Sequence, residues 1–384
     1  MKVLGLIVEY NPLHNGHVHH IEASKKIVNP DVTIAIMSGH FTQRGEPACT
    51  TKRNRTQQAL KRGIDLIVEL PYAYANQSAD LFATGAISIL KHLGGTHLVF
   101  GSESGDISQL ITLAETMDQS DVKEAVKKEL AKGVSLPKAF SAVNPSLTGA
   151  NNTLGIQYIR AINQQEANIS PLTIKREKSG YNDQVATDDH IASATAIRKL
   201  MAQEMNYGNY VPEVIDDPWQ KAQNWHSHYQ FLRQKLLTTS PRDLAKIHDM
   251  VEGIEHRLIE KAISSSNFES FREAVATKRY TNTRIQRICA NVLTGLKKEE
   301  IVAWNLQDGA PYVRILGFNH VGRSFLKQIK KSVPVPVYPT FTQQAHPMLK
   351  HELKVTAAYA SIYDQEQATK IIQSEYQNPP VFGS

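Results

Sequence analysis

In the first half of the chain, short continuous runs of apolar residues alternate with segments whose apolar residues recur every three or four positions. The continuous runs are Val3–Val8, Val32–Gly39, Asp65–Pro71 and His97–Glu103. The segments of helical periodicity are His14–Ile27, Arg55–Gly63 and Ser78–Gly94. Continuous apolar strands separated by helices indicate a parallel sheet that is covered on both faces. The pattern therefore predicts an α/β fold of the Rossmann-like, doubly wound type, whose ligands bind beyond the carboxyl ends of the strands.

The second half of the chain has a different pattern. Turn-forming residues are frequent in Tyr207–Gln220, which predicts a linker. Helical periodicity then dominates from Trp225 to Gly295, and one further strand and helix are predicted within Pro311–Ser332. We therefore predict two domains, an α/β domain over residues 1–206 and a mainly helical, basic domain over residues 207–384.

Composition changes this picture only slightly. A chain of 384 residues can bury a substantial core, and no apolar run approaches the length of a membrane span. Because nothing resembles a signal peptide either, we expect a cytoplasmic protein. Cys49 and Cys289 lie far apart, which argues against a disulfide framework and against a thiolate zinc site. The formal net charge of +6 permits a polyanionic partner such as RNA.

The turn between the first strand and the first helix carries the first candidate chemistry. A helix N-terminus presents unpaired N–H groups and a partial positive charge, so the turn that leads into His17 predicts an anion site. Gly16 allows close backbone approach, and His14 and His17 lie three residues apart, on one side of the first turn. Solvent-exposed histidines are an alternative, above all at His19 and His20. A metal site is another, although the spacing matches no common metal motif.

A second motif supplies hydroxyl groups and a cation. Ser193 and Thr195 stand just ahead of a predicted helix that carries Arg198. Taken alone, this pattern is an N-capped helix. Combined with the two histidines, it provides donors and one positive charge for a departing pyrophosphate. We therefore regard His14, His17 and Arg198 as candidate catalytic residues.

These motifs resemble those of a known superfamily. "NPLHNGH" and "SATAIR" resemble the HxGH and (S)STxIR motifs of the class I nucleotidyltransferases, although Ala194 stands where a second serine is frequent. Together with "AIMSGHFTQRGEPA", "GIDLIVELPYAYANQSA", "FGSESGD", "NNTLGIQYI" and "IKREKSGYND", they resemble the tRNA(Met) cytidine acetate ligase family. The resemblance implies a nucleotidyltransferase-type fold. It also implies an enzyme that activates acetate with ATP and acetylates the wobble cytidine of elongator tRNA(Met).

The resemblance also implies which residues contact ATP. The implied ATP-binding segment consists of Ile7, Val8, Glu9, Tyr10, Asn11, Pro12, Leu13, His14, Asn15, Gly16, His17, Val18, His19 and His20. Further implied contacts are Gly101, Asn151, Asn152, Arg176, Ser193 and Thr195. Gly101 could instead be a plain strand-end turn, the two asparagines could be N-caps, and Lys175 could take the place of Arg176. We expect no metal site built by the protein, and we expect Mg²⁺ to be carried by the phosphates of ATP.

Basic residues are concentrated between Lys278 and Lys331, which predicts a surface that contacts tRNA phosphates. The residues we assign to this contact are Lys278, Arg279, Arg284 and Arg287. A solvated helix face is the alternative, and Lys52, Arg53 and Arg55 could extend the track from the catalytic side. Two other functions stay open at this stage. One is an adenylyltransferase of a cofactor pathway, and the other is a non-catalytic RNA-binding protein that retains a nucleotide pocket.

Overall fold

The structure is a computed structural model that describes residues 1–132, 136–143, 149–176, 190–215 and 223–383. Its centre is one eight-stranded sheet in the order β5-β4-β1-β2-β3-β6-β7, with β8 paired to β6. The strands are β1 (Val3–Val8), β2 (Val32–Ser38), β3 (Leu66–Leu70), β4 (His97–Ser102), β5 (Ser170–Lys175), β6 (Val313–Phe318), β7 (Val337–Tyr338) and β8 (Val381–Phe382). Within the described ranges, no helix is both long and apolar enough to cross a bilayer.

Helices occupy most of the remaining described chain. Those before residue 207 are α1 (Asn15–Val28), α2 (Lys52–Lys61), α3 (Tyr72–Ala75), α4 (Ala79–His92), α5 (Ile107–Asp118), α6 (Ser120–Ala131), α7 (Leu136–Val143), α8 (Ala150–Gln164) and α9 (Ala194–Ala202). Those after it are α10 (Trp225–Thr238), α11 (Pro241–Leu244), α12 (Ile254–Ser264), α13 (Phe268–Val275), α14 (Asn282–Thr294), α15 (Lys298–Trp304), α16 (His320–Ile329), α17 (Pro347–Ala360) and α18 (Gln365–Gln377).

The central strands of the sheet are buried on both faces, as their continuous apolar runs predict. Along β2, Ile34 and Ile36 pack into one core together with α4 and α8, whereas Ala35 and Met37 pack into a second core with α1 and α2. Successive side chains of a strand point to opposite faces, so β1, β2, β3, β4 and β6 each contribute to both cores. The strands β5, β4, β1, β2 and β3 are mutually parallel. The predicted α/β, doubly wound fold is therefore confirmed.

The strand order reverses at β1. From β1 the chain proceeds through β2 and β3 on one side, and then crosses to β4 and β5 on the other side. In doubly wound sheets, ligands bind in the crevice that this reversal opens at the carboxyl ends of the strands. The carboxyl end of β1 leads into the turn before α1, and the carboxyl end of β4 carries Gly101. The candidate motifs therefore border the reversal point.

The second half of the chain contributes both a helical unit and part of the sheet. The helices α10, α12, α13 and α14 share a core with α17 and α18. The strand β6 runs antiparallel to β3 and extends the sheet, and β7 and β8 pair with β6. The division at residue 206 stays a prediction, but the sheet itself includes strands from both sides of that boundary. Of the predicted linker, residues 216–220 lie outside the described residues, and Pro212 accepts a hydrogen bond from Arg62 of the first half.

A buried ionic network fastens the two halves together. Lys52 of α2 lies 2.7 Å from Glu69 of β3 and 2.9 Å from Glu375 of α18. Arg314 of β6 lies 3.0 Å from Glu69 and also pairs with Glu375. Burial alone would raise the pKa of Glu375, but Arg314 and Lys52 hold that pKa well below its ordinary value. Each of the four groups therefore has at least one ion-pair partner in the other half of the chain.

Candidate active site

The turn between β1 and α1 places two imidazole rings against each other. His14 is the N-cap residue of α1, and its carbonyl accepts hydrogen bonds from the backbone N–H groups of His17 and Val18 at 2.8 and 3.2 Å. The backbone N–H of His14 donates to Nδ1 of His17 at 3.3 Å. The two rings stack with centroids 3.7 Å apart. The predicted pairing of the two histidines at the helix start is thus present.

Both imidazoles are uncharged at neutral pH. Burial, and to a smaller extent the charges of Arg176 and Arg198, lower the pKa of His14 to about 3. Burial, together with His14 and Arg176, lowers the pKa of His17 well below its ordinary value. A neutral imidazole still donates one hydrogen bond and accepts another. Nδ1 of His14 is buried and has no hydrogen-bond partner among the described residues, so it remains available to a ligand.

Gly16 is required by the His14 ring. A Cβ atom at Gly16 would lie 2.9 Å from Cε1 and 3.0 Å from Nδ1 of His14. Real Cβ atoms do not approach another atom so closely, so any side chain here would displace the ring. The absence of a side chain at Gly16 therefore leaves room for the His14 imidazole. It also permits the close backbone approach that the sequence suggested.

The second motif folds against the first. Asn15 donates hydrogen bonds to the carbonyls of His190 and Asn209 at 3.0 and 2.9 Å, which holds the start of α1 beside the start of α9. Ser193 is the N-cap of α9 and accepts from the N–H of Ala196 at 3.0 Å. Its hydroxyl therefore has the capping role that was the alternative interpretation.

Arg198 reaches from α9 to the turn before α1. Its Nη1 donates to the carbonyl of Asn11 at 2.7 Å, and its Nη2 lies 2.8 Å from Oε2 of Glu46. Nη2 also lies 3.5 Å from the hydroxyl of Thr195, which is exposed. Glu46 was missed from the sequence. In the sequence, Glu46 is only a single carboxylate in the loop that follows β2. Its neighbouring residues form no pattern that would indicate an ion pair with an arginine far along the chain.

Gly101 and Arg176 border the same crevice from the β4 side. A Cβ atom at Gly101 would lie 3.2 Å from Cγ of Arg176, so the arginine packs directly over the glycine. Arg176 follows β5, and its exposed guanidinium acts electrostatically on His14, His17 and His20. His19 is exposed, as its alternative interpretation stated. His20, by contrast, has a buried Nε2, and burial lowers its pKa to about 4.

Asn151 and Asn152 are organised by Glu103. The Glu103 carboxylate accepts from the backbone N–H of Asn151 at 3.0 Å and of Asn152 at 2.7 Å, so it caps the start of α8. The side-chain amide of Asn151 donates to the same carboxylate at 2.8 Å. Oδ1 of Asn152 accepts from the N–H groups of Glu103 and Ser104 at 3.0 and 3.2 Å. Neither asparagine is the N-cap, which is Gly149.

The predicted RNA-contacting residues differ in their availability. Lys278 is exposed. Arg279 is also exposed but pairs with Glu252 at 2.6 Å, and Arg284 pairs with Asp249 at 3.4 Å. A phosphate that binds Arg279 or Arg284 would therefore compete with a carboxylate.

The other four basic residues considered for contact with RNA differ in their burial. Burial lowers the pKa of Arg287, whose Nε has no partner among the described residues. Lys52 and Arg55 are buried, so the suggestion that they extend a surface track was wrong. Arg55 donates to the carbonyls of Glu9 and Ser38 at 2.7 and 2.9 Å and supports the loop from below. Arg53 is exposed.

A stacked histidine pair at a helix start, at the reversal point of a doubly wound sheet and beside an SATAIR segment, defines a nucleotidyltransferase site. The family model described as HIGH Nucleotidyl Transferase matches residues 1–375. The chain is 38% identical over 402 residues to the tRNA(Met) cytidine acetate ligase of Geobacillus sp. (strain WCH70), covering 99% of this chain and 100% of that protein. It is also 38% identical over 403 residues to that of Bacillus subtilis (strain 168), covering 99% and 97%.

Solved structures agree with these relatives. The apo form I of Thermotoga maritima TmcAL superimposes with a TM-score of 0.89 at 31% identity, covering 100% of this chain and 99% of that one. The form II structure of the same protein, bound with alpha-thio ATP, gives a TM-score of 0.87 at 31% identity, with the same coverage. The chain therefore belongs to the tRNA(Met) cytidine acetate ligase family, and the resemblance noted in its sequence is confirmed.

Proposed function

We propose that this protein is an ATP-dependent ligase that acetylates the N4 amine of the wobble cytidine of elongator tRNA(Met). The observation that carries the proposal is the convergence of His14, His17 and Arg198 at the reversal point of the sheet, in a chain related to named acetate ligases over its whole length. The full-length relationship favours this reaction over a cofactor-pathway adenylyltransferase and over a non-catalytic RNA-binding protein. We place the reaction in the cytoplasm, where ATP and tRNA are available.

In the first step, an acetate oxygen attacks the α-phosphorus of ATP. The new O–P bond forms as the bond from that phosphorus to the bridging oxygen of pyrophosphate breaks, and pyrophosphate leaves with the electron pair. We assign His14 and His17 to the α-phosphate, because neutral imidazoles at a helix N-terminus can donate to charge that builds on the phosphate oxygens. We assign Arg198 to the departing pyrophosphate. To act there, it exchanges its pairing with Glu46 for phosphate contacts.

In the second step, the cytidine N4 lone pair attacks the acyl carbon of acetyl-adenylate. An N–C bond forms, the bond from the acyl carbon to the AMP oxygen breaks, and one N4 proton is released. The protein supplies position and electrostatic stabilisation and no covalent nucleophile. Mg²⁺ enters with ATP as part of the substrate and neutralises the phosphates. Among the described residues, no three His, Cys, Asp or Glu side chains converge as metal ligands.

We propose that Gly101, Asn151, Asn152 and Arg176 line the nucleotide from the β4 side. Two observations support this assignment. Arg176 packs on Gly101, and its charge acts on both His14 and His17. Glu103 also fixes Asn151 and Asn152 at the start of α8, close to the end of β4. For tRNA, we propose Lys278, with Arg279 and Arg284 as further phosphate contacts.

The decisive test is mass spectrometry of tRNA nucleosides after incubation of the protein with ATP, Mg²⁺, acetate and unmodified elongator tRNA(Met). We expect N4-acetylcytidine together with AMP and pyrophosphate. Acetyl-coenzyme A should not replace acetate and ATP. Product that forms only with acetyl-coenzyme A would refute the activation mechanism, and AMP transfer to a small acceptor would favour the adenylyltransferase instead.

A further inference from the structure

A pocket of about 170 Å³ lies where the catalytic half meets the helical unit. Glu46 and Arg198 line it from the catalytic side. The helical unit contributes Gln223, Trp225 and Arg272. Because Arg198 also contacts the turn before α1, this one side chain joins the pocket to the histidine pair. A group bound in the pocket would therefore lie next to the site of adenylate formation.

The aromatic wall of the pocket is rigid. Trp225 stacks on Phe268, with ring centroids 4.5 Å apart and an angle of 9° between the ring planes. Its indole N–H donates to the carbonyl of Gly45 at 3.0 Å, which ties α10 to the loop that carries Glu46. An apolar wall fixed in this way suits a flat, weakly polar ligand and changes little on binding.

Gln223 gives the pocket an unsatisfied polar group. Its side chain is only 3% exposed, yet neither Nε2 nor Oε1 has a hydrogen-bond partner in the described part of the chain. Nε of Arg272 is also buried without a partner there. A buried amide without a partner costs about 1–3 kcal/mol, so such groups are typical of sites that a ligand completes.

We propose that this pocket receives the base of the target cytidine, a proposal that rests on the tRNA acetylation proposed above. The Watson–Crick edge of cytosine offers a donor at N4 beside an acceptor at N3. A primary amide matches this pair, because Oε1 accepts from one N4 hydrogen while Nε2 donates to N3. The second N4 hydrogen is then the one that leaves on acetylation. Acetate fits less well, since a carboxylate only accepts and would leave Oε1 of Gln223 unpaired.

The proposal also explains why the pocket is built from two parts of the chain. A wobble base has to leave its stack to react, and an anticodon loop releases it at low cost. An extruded base inserted between α9 and α10 would be held beside Arg198, while the rest of the loop stays outside. The helical unit would then place the acceptor against the adenylate, in addition to any contact with phosphates.

The test compares binding of two elongator tRNAs(Met), one with cytidine and one with an abasic ribose at the wobble position. We expect the wild-type protein to bind the cytidine form about tenfold more tightly, since one stacked and hydrogen-bonded base contributes at least ~1.4 kcal/mol. Gln223→Leu should lose most of this preference and bind the abasic form as the wild type does. Gln234→Leu, on an exposed position of α10, should retain the preference. Arg272→Gln provides a second variant should Gln223→Leu fold poorly.

The outcomes separate this proposal from the proposed function. Equal binding of the two tRNAs by the wild type would overturn the pocket assignment, even when that protein acetylates tRNA normally. A Gln223→Leu variant that keeps the preference but has a raised KM for acetate would also overturn it. Failure of the wild type to form N4-acetylcytidine, with the preference for cytidine intact, would count against the proposed reaction and leave the base pocket supported.

Discussion

Gly16→Ala should abolish most activity while leaving the protein folded. The added methyl group would lie 2.9 and 3.0 Å from two atoms of the His14 ring, against an ordinary contact of 3.4–4 Å. The His14 ring must therefore move by roughly half an ångström or more, which displaces it from its present stacking position on His17. Misplacement of a catalytic group by about 1 Å can reduce the rate by ~10²-fold. We expect a loss between tenfold and a hundredfold in acetate-dependent ATP–pyrophosphate exchange.

The stability of Gly16→Ala should not fall with its activity and should equal or slightly exceed that of the wild type. Gly16 lies in the first turn of α1, and alanine favours helix over glycine by up to about 1 kcal/mol. Urea unfolding should therefore give a midpoint for Gly16→Ala that is equal to or slightly above that of the wild type. A loss of activity together with a loss of stability would indicate general disruption of the turn.

A double-mutant cycle identifies the cause. If the methyl group acts by displacing His14, Gly16→Ala should add little to the effect of His14→Ala, because the ring is then absent. Independent effects that multiply in the double variant would refute the reasoning. Wild-type exchange activity in Gly16→Ala alone would refute it more directly, because the structure leaves no room for both groups.

Three further predictions follow from the ionic network, the basic surface and the buried histidines. Glu375→Gln should lower the free energy of unfolding by about 3–5 kcal/mol, because it leaves Lys52 and Arg314 buried with one carboxylate fewer. Replacing the three exposed or half-exposed basic residues proposed for RNA by alanine should weaken tRNA binding and reduce its log–log salt slope by about 0.7–0.9 per lost phosphate contact. Stability should also fall as pH falls from about 6.5 to 4, because the unfolded chain binds protons that the buried histidines do not, at up to ~1.4 kcal/mol per pH unit for each. These histidines, with pKa values lowered to between about 3 and about 4, are His14, His20, His40 and His228.

Each of these predictions has a control. Glu366→Gln, in an exposed pair on the same helix as Glu375, should change stability by less than about 0.5 kcal/mol, and an equal loss for both variants would contradict the network argument. Alanine at Lys327, Lys330 and Lys331 should leave the salt slope for tRNA unchanged, since these residues lie on or just after α16 and outside the surface proposed for RNA. A free energy of unfolding that stays constant from pH 7 to 5 would contradict the histidine prediction. Burial raises the pKa of Glu352 to about 8, so this carboxyl group holds a proton in the folded protein that it loses on unfolding. Over the same pH range it therefore offsets the loss of stability caused by one histidine.

The sequence predicts the central strands well, because β1 to β4 are buried on both faces and appear as continuous apolar runs. It does not predict β5, which forms the far edge and whose residues are mostly half-exposed. A strand near β6 is predicted, but its antiparallel pairing with β3 is not, since partner choice depends on residues some 250 positions away. Hydrophobic periodicity therefore does not predict the edge strands of the sheet or the pairing of strands that are distant in the sequence.

The same limit applies to the site. The histidine pair and Arg198 follow from local motifs, and the structure brings them together. The partners Glu46 and Glu103 come from loops whose sequence carries no comparable pattern. For Lys52 the sequence is misleading rather than silent, because a lysine beside a strand end suggests a charge at the protein surface. Its burial becomes evident only once Glu69 and Glu375 are known to surround it.

The pairing of β3 with β6 has a consequence for how the protein is made on the ribosome. When the first five strands have emerged, β3 is still an open edge, and Lys52 and Glu69 still lack Arg314 and Glu375. Unpaired strand edges favour association between chains. The edge of the nascent α/β half closes only when β6 has emerged, and the ion pairs of Lys52 and Glu69 are complete only when α18 has emerged. A nascent chain that stalls after β5 and before β6 would expose the apolar strand β3 to neighbouring chains.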